Sequence, residues 1–261
     1  MSQMILFSAI AGICGTGLGG LVSAILFKRP SENMTCWLLS FAGGVMTSIV
    51  CFGLVPEAFE LASIGIGITG LVIGILIIMG LSRIVDMVTV VKGEELKLHS
   101  TPEELYHEGE IIQNKPRLLR SGILMLTAIG LHNIPEGLAI GAGGSHDLRL
   151  GLLLAIMIAV HNIPEGMAIS APLLAGGVNQ RKVVFLTALS GAPTLLGGII
   201  GLLIGGISDT AIALSLSAAG GAMLYIVFAE MMPQSIVMTK DRKASIVTLF
   251  GVIVGLVITQ I

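Results

Sequence analysis

The sequence predicts an all-α membrane protein with eight transmembrane helices, and three observations lead to this fold class. Hydrophobic residues make up 54% of the 261 residues and charged residues only 11%, whereas a soluble domain carries roughly 25% charged residues. Eight apolar stretches each reach the roughly 20 residues that a helix needs to cross a bilayer core. The basic residues are concentrated in alternate connections between these stretches.

The predicted spans follow one another with short connections, except for one long polar segment after the third. They are 4–27, 34–57, 63–90, 119–142, 149–175, 183–206, 210–233 and 244–261. No Lys or Arg and no cleavage pattern of small residues accompanies the first apolar run, so we interpret it as a retained span. We interpret the whole chain, 1–261, as a single transmembrane domain.

The distribution of basic residues predicts the orientation, because Lys and Arg accumulate in cytoplasmic loops. With both termini outside (N-out, C-out), 13 of the 14 basic residues face the cytoplasm, and Arg149 alone lies outside. The polar segment at about 91–118 then becomes a cytoplasmic loop. Its His99 and His107 fit either a solvated connector or a segment that captures metal ions.

Composition also narrows the choice of partners. The net charge of −2 and the lack of a basic patch with interleaved aromatic residues argue against nucleic acid, which leaves the lipid bilayer as the main surrounding. The three cysteines have no Cys-x-x-Cys spacing, so neither a disulfide framework nor a thiolate metal site is indicated.

A six-residue motif occurs twice, near the middle of the fourth and the fifth spans. The copies are His132-Asn133-Ile134-Pro135-Glu136-Gly137 and, 29 residues later, His161-Asn162-Ile163-Pro164-Glu165-Gly166. On a helix, the His at i and the Glu at i+4 share a face, and the Asn at i+1 lies three residues before that Glu. Because the two spans run antiparallel, the motifs meet at one depth and offer six candidate metal ligands.

The ligand types indicate the kind of ion. A charged Glu at the centre of a span costs at least ~2.5–3.5 kcal/mol, and a divalent cation would offset this cost directly. Mixed imidazole and carboxylate ligands suit Zn²⁺, Fe²⁺, Mn²⁺, Co²⁺ or Cd²⁺, whereas Ca²⁺ and Mg²⁺ favour oxygen alone. The alternative is a hydrogen-bonded His–Glu pair that only holds two helices together.

Glu230, near the inner end of the seventh span, is a further candidate metal residue. It fits either a role in metal entry or exit or the ordinary role of a solvated acid at a helix end.

The paired His-Asn-x-Pro-Glu-Gly motifs, the span count and the external termini together resemble the ZIP family of zinc and iron transport proteins, and its bacterial members most closely. The resemblance covers essentially the whole chain. It implies a metal site between helices 4 and 5, uptake towards the cytoplasm across the cell membrane and, in some members, an elevator-like movement of one helix group. The metal is then the transported substrate, zinc first and Fe²⁺, Mn²⁺, Cd²⁺ or Co²⁺ after it, and no cofactor is expected.

The resemblance also assigns residues. His132, Asn133 and Glu136 match the fourth-span ligands of the family, and Asn162 and Glu165 match those of the fifth span, where His161 occupies a variable position. The sixth span has Ala192 before Pro193 where two-metal relatives often have Glu, so a second metal would rest on Asn133 and Asn162. The seventh span has Ala229-Glu230 and Pro233-Gln234 where His-Glu and Pro-Glu are common.

Two other functions fit parts of the pattern. An intramembrane zinc hydrolase would also use a buried metal and a carboxylate, but the sequence has no His-Glu-x-x-His, and a duplicated motif suits a two-sided ion path better. A metal sensor would be expected to carry a larger soluble domain than the polar segment offers. The sequence does not distinguish a monomer from a homodimer.

Overall fold

A computed structural model describes residues 2–26, 32–88, 115–204, 208–239 and 242–259. Within these ranges every regular element is helical, so the all-α prediction is confirmed. The predicted cytoplasmic loop lies outside the described residues from 91 to 114, as do His99 and His107. Residues 115–118 already belong to the following helix.

The described residues form eight helices, α1 to α8, in which three carry a π-helical segment and one is broken at a glycine. The helices are α1 (Ser2–Ala9, π-helical Ile10–Cys14, Gly15–Leu26), α2 (Glu32–Ile49, π-helical Val50–Leu54, Val55–Leu61), α3 (Ile64–Val88), α4 (Lys115–His146), α5 (Leu148–Ala175), α6 (Gln180–Ser190 and Ala192–Ile204), α7 (Asp209–Ile226, π-helical Val227–Met231, Met232–Thr239) and α8 (Lys243–Ile258).

Length and surface chemistry fit a bilayer. Among the described residues, seven helices are long and apolar enough to span a membrane, and the apolar α8 has 16 residues. Large apolar side chains point outward, such as Leu203 and Phe185, whose exposed fractions are 70% and 65%. Such a surface is unfavourable in water and favourable against lipid chains.

Two helices continue past a proline that lies near their predicted end. The predicted ends at 57 and 233 were placed near Pro56 and Pro233, but α2 continues to Leu61 and α7 to Thr239. In both helices the proline stands in the first turn after the π-helical segment. A proline is tolerated there because its missing N–H interrupts few backbone hydrogen bonds.

The helices pack as two groups. In the first group, α1 and α6 cross each other and α4 and α5 pack against both; in the second, α2 packs on α8 and α3 on α7, with α2 also touching α7. The groups meet where α2 contacts α5 and where α7 contacts α4. Both motif-bearing helices therefore lie in the first group and face the second.

An internal repeat relates α1–α3 to α6–α8. Ala42-Gly43-Gly44 in α2 recurs 177 residues later as Ala219-Gly220-Gly221 in α7, and the π-helical segments of these helices have the same separation. Contacts repeat as well: α2 and α8 meet closely at Gly44, and α7 and α3 meet in the same manner at Gly221. Equivalent helices are five positions apart in the order of antiparallel helices, an odd number, so the two halves are inverted relative to each other.

Candidate metal centre

The two motifs meet in the interior through crossed contacts. Nε2 of His132 lies 2.9 Å from Oε1 of Glu165, and Nε2 of His161 lies 2.8 Å from Oε1 of Glu136. The contact within one motif, from His132 to Glu136, is longer, at 3.6 Å. All four side chains are buried. Each histidine thus pairs with the glutamate of the other helix, and α4 and α5 contribute equally.

The spacing of these atoms suits one small cation. Ligand atoms of His132, Glu136 and Glu165 all lie within 4.8 Å of one another. Zinc binds imidazole nitrogen and carboxylate oxygen at about 2.0–2.2 Å in a tetrahedron, which places neighbouring ligand atoms about 3.4 Å apart. The three observed contacts, of 2.8, 2.9 and 3.6 Å, each lie within about 0.6 Å of this spacing.

Charge and unsatisfied oxygen atoms also favour a cation. Oε2 of Glu136 and Oε2 of Glu165 are buried and have no hydrogen-bond partner among the described residues. Two negative charges held close together in a low-dielectric interior repel each other. A dication balances both charges and coordinates oxygen atoms that hydrogen bonds leave unused.

The motif asparagines link the centre to the backbones of α1 and α6. Nδ2 of Asn133 donates to the carbonyl of Ser190 over 2.8 Å, and Nδ2 of Asn162 donates to the carbonyl of Ala11 over 2.9 Å. Both carbonyls lie at irregular points: Ser190 immediately precedes the break in α6, and Ala11 lies in the π-helical segment of α1. The amide oxygens Oδ1 of both asparagines are buried without a partner among the described residues, as expected of additional metal ligands.

Glycines bring the helix backbones together around the centre. A Cβ atom on the motif glycine Gly137 would collide with the Thr194 carbonyl oxygen of α6, and one on Gly166 would collide with the Thr16 carbonyl oxygen of α1. Small residues allow such approaches between helices in a membrane. The final glycine of each motif therefore fixes how closely α6 and α1 support the ligands.

We expect Asn162→Ala to lower the free energy of unfolding by about 1 kcal/mol, because a buried hydrogen bond to Ala11 is lost. Asn133→Ala should have an effect of the same size, since its bond to Ser190 is equivalent. Thermal unfolding in detergent measures the change. Thr127→Ala is the control, because the Thr127 side chain is exposed and bonds only within its own helix. An equal loss of stability in all three variants would contradict the stabilising role of the two asparagine hydrogen bonds.

Glu230 does not join the paired motifs. It lies in the π-helical segment of α7, where Oε2 is 3.8 Å from Nη1 of Arg120 and Oε1 accepts a 3.4 Å hydrogen bond from Ser82. Neither Glu230 nor His161 is in the group of close ligand atoms formed by His132, Glu136 and Glu165, but His161 contacts Glu136 at 2.8 Å, whereas no such contact is seen for Glu230 among the described residues. Its observed partners are thus an arginine and a hydroxyl group, and a metal-binding role for it stays a prediction.

Sequence reasoning missed the groups that support the ligands. The carbonyls of Ser190 and Ala11 carry no side-chain signal, although Gly191 before Pro193 does indicate an irregular helix. The internal repeat had a readable signal, since Ala-Gly-Gly-x-Met occurs at Ala42 and again at Ala219. The partnership of Arg120 with Glu230 joins residues 110 positions apart, and only the packing of α4 on α7 reveals it.

The fold and the centre together define a class of protein: a multi-pass membrane protein with a buried cluster of His and Glu side chains suited to a divalent cation, on two helices that lie between the halves of an inverted repeat. This is the arrangement of a membrane transporter, in which the ion site lies in the interior between repeated halves.

Comparisons with known proteins identify the family. The ZIP zinc transporter family matches residues 87–261. The zinc transporter ZupT of Akkermansia muciniphila is 32% identical over 261 residues, which cover 98% of this chain and 94% of that protein. The ZupT protein of Escherichia fergusonii is 30% identical with the same coverage. The chain therefore belongs to the ZIP family of zinc transporters, and it is a transporter and not an enzyme.

Proposed function

We propose that this protein carries zinc from the outside of the cell across the cytoplasmic membrane into the cytoplasm, through the cluster of His132, Glu136, His161 and Glu165. The crossed His–Glu contacts of α4 and α5 support the proposal, since they bring together two imidazoles and two carboxylates from two equivalent motifs. Ligand atoms of three of these residues, His132, Glu136 and Glu165, lie within 4.8 Å of one another. The relatives ZupT, which align over nearly the whole chain, bear the name of zinc transporters.

The direction rests on the orientation that the basic residues predict, with both termini outside. Zinc arriving from outside exchanges its water for two imidazole nitrogens and two carboxylate oxygens, while both crossed hydrogen bonds open. The histidine Nε2 atoms must be free of protons to bind the metal, so zinc binding displaces protons. Release to the cytoplasm requires the other face of the same cluster to become accessible.

The ligand set supports zinc first and leaves related ions as competing substrates. Fe²⁺, Mn²⁺, Co²⁺ and Cd²⁺ accept the same imidazole and carboxylate ligands. Asn133 and Asn162 add amide oxygens, which also supply the ligands that a second adjacent ion would need. Every ligand comes from one chain, so the proposal holds for a monomer and for a homodimer alike.

The two other functions considered from the sequence are not supported. Membership of a family of transporters accounts for the buried metal ligands, and neither hydrolysis nor metal sensing is needed to explain them. The inverted repeat around the site also fits passage of an ion from one side to the other.

Zinc influx into proteoliposomes loaded with a zinc-sensitive dye tests the proposal. We expect the parent protein to raise the influx clearly above that of protein-free liposomes, and Glu136→Ala/Glu165→Ala to reduce it at least tenfold, because the variant lacks both anionic ligands. Competition by Fe²⁺, Mn²⁺, Co²⁺ or Cd²⁺ in the same assay ranks the substrates. The variant must first elute as a folded protein in size-exclusion chromatography.

The outcome separates the candidates. Influx with the parent alone supports transport through the paired motifs. Stoichiometric zinc binding by the parent without any influx would contradict transport and return the hydrolase and sensor functions to consideration.

A further inference from the structure

A cluster of polar side chains joins the two helix groups at the predicted cytoplasmic end of α4 and α7. We call it the inner polar cluster and define it as Arg120, Ser121, Glu230 and Gln234. Arg120 contacts Glu230 at 3.8 Å, and Oγ of the next residue, Ser121, donates to Oε1 of Gln234 over 3.1 Å. Ser82 of α3 adds a 3.4 Å hydrogen bond to Glu230.

The cluster connects α4 and α7 through two contacts. Glu230 and Gln234 stand one turn apart on α7, so they share a face, and consecutive residues of α4 contact them. Ser121 and Gln234 are buried, whereas the Arg120 and Glu230 side chains keep 22% and 15% of their surface exposed. Arg120 precedes the ligand His132 by 12 residues, which is about 18 Å along a helix. The cluster therefore lies at the boundary of the apolar layer, well away from the metal ligands.

The internal repeat gives a reference position for the cluster at the other end of the molecule. Arg149 precedes His161 by 12 residues, as Arg120 precedes His132, and Gly53 in α2 is the counterpart of Glu230 in α7. The equivalent of the ion pair would thus join Arg149 to residue 53, where there is no side chain. Within the described part of the chain, no ion pair of Arg149 occurs.

The presence of this ion pair at only one end of the molecule affects the balance between the conformations of the transporter. In an inverted-repeat transporter, exchanging the conformations of the two halves converts the outward-open state into the inward-open state. A contact present at one end and missing at its counterpart favours the state in which its own end is closed. Because ion pairs with partly exposed side chains are weak, such a contact biases the equilibrium without blocking the cycle.

We infer that the inner polar cluster holds the two helix groups together on the cytoplasmic side and so favours the outward-open state of the metal-free protein. In that state the centre is ready to take zinc from outside, and the contact between α4 and α7 must separate before zinc leaves. The inference rests on the proposed function for its orientation and its substrate.

Distance measurements between spin labels test the inference without requiring transport. One label replaces Arg181 at the start of α6, in the first helix group, and the other replaces Arg242 before α8, in the second; both residues are exposed. The background carries Cys14→Ser, Cys36→Ser and Cys51→Ala, which remove the free cysteines. Cys36→Ser keeps a side-chain donor for the Ser235 carbonyl.

For the metal-free parent in lipid nanodiscs, we expect one main distance. Arg120→Gln should move about half of the molecules to a longer distance and raise the apparent KM for external zinc about twofold, because only the outward-open fraction binds. The exchanged pair Arg120→Glu/Glu230→Arg should restore the parent distribution. Arg149→Gln, at the equivalent outer position, should change neither the distance nor the KM.

The results that overturn the inference differ from those that overturn the proposed function. Parent-like distances and KM in Arg120→Gln, or an equal shift in Arg149→Gln, would show that the cluster does not bias the equilibrium. If Arg120→Gln fails to fold, Ser121→Ala and Glu230→Gln take its place with the same expected shift. A parent without zinc influx would contradict the proposed function, while the distances would still decide the role of the cluster.

Discussion

Glu165→Gln should lower the affinity for zinc at least about a hundredfold, equivalent to roughly 3 kcal/mol. The substitution leaves the shape of the side chain unchanged, and the amide can still form a hydrogen bond with His132, which lies 2.9 Å from Oε1. The fold should therefore survive. What is lost is one of the two negative charges that balance the dication in a buried site.

Glu136→Gln should have the same effect, because Glu136 faces His161 as Glu165 faces His132. Titration with zinc in detergent, against a chelating dye of known affinity, measures both variants. Glu57→Gln is the control, since Glu57 is exposed at the end of α2 and should stay within about threefold of the parent. Parent-like zinc affinity in both folded site variants would place the metal elsewhere.

Gly166→Ala should destabilise the protein by about 3 kcal/mol or prevent it from folding. The added methyl group meets the carbonyl oxygen of Thr16 and lies 3.1 Å from Cα of Gly19, both in the backbone of α1. A backbone cannot move aside as a flexible side chain can, so α1 and α5 must separate. The displacement also strains the bond from Asn162 to Ala11 and hence the metal centre.

Gly80→Ala is a matched control for this substitution. It adds the same methyl group within α3, where no atom of the described residues lies within 4 Å of the new Cβ, apart from the backbone of the same helix. There the change should be neutral or stabilising by up to about 1 kcal/mol, as Ala favours the helix over Gly. Thermal unfolding followed by size-exclusion chromatography compares the two. Equal stability of both variants would contradict the tight contact between α1 and α5.

Much of the fold follows from local chemistry, and so the sequence predicts it well. Apolar length alone places the helices, since a span needs about 20 residues whatever its neighbours are. The ends were less predictable: the predicted spans end at 57 and 233, but a π-helical turn before Pro56 and before Pro233 lets each helix continue. Such turns depend on packing and leave no clear local pattern.

In the metal centre, too, the sequence predicts what depends on spacing along one helix but not what depends on contacts between helices. The spacing of His132 and Glu136 places both on one face of a helix, and this was read correctly from the sequence. That the shorter contact of each histidine is with the other helix was not predictable, because it depends on how α4 and α5 cross. The prediction of a metal role for Glu230 rested on its place near the inner end of the seventh span and on the resemblance, whereas its contact with Arg120 depends on tertiary packing.

The pairing of the helices also determines the order in which the protein can mature during synthesis. The close partners of the first three helices come late in the chain: α1 packs on α5, α3 on α7 and α2 on α8. At Gly44 the backbone of α2 approaches Thr248, which lies 204 residues further along the chain. These close contacts can therefore form only after the later helices have been synthesised, and a chain cut short before residue 243 would lack the helix that packs on α2 at Gly44. Such a chain would expose the face of α2 around Gly44 that α8 otherwise covers.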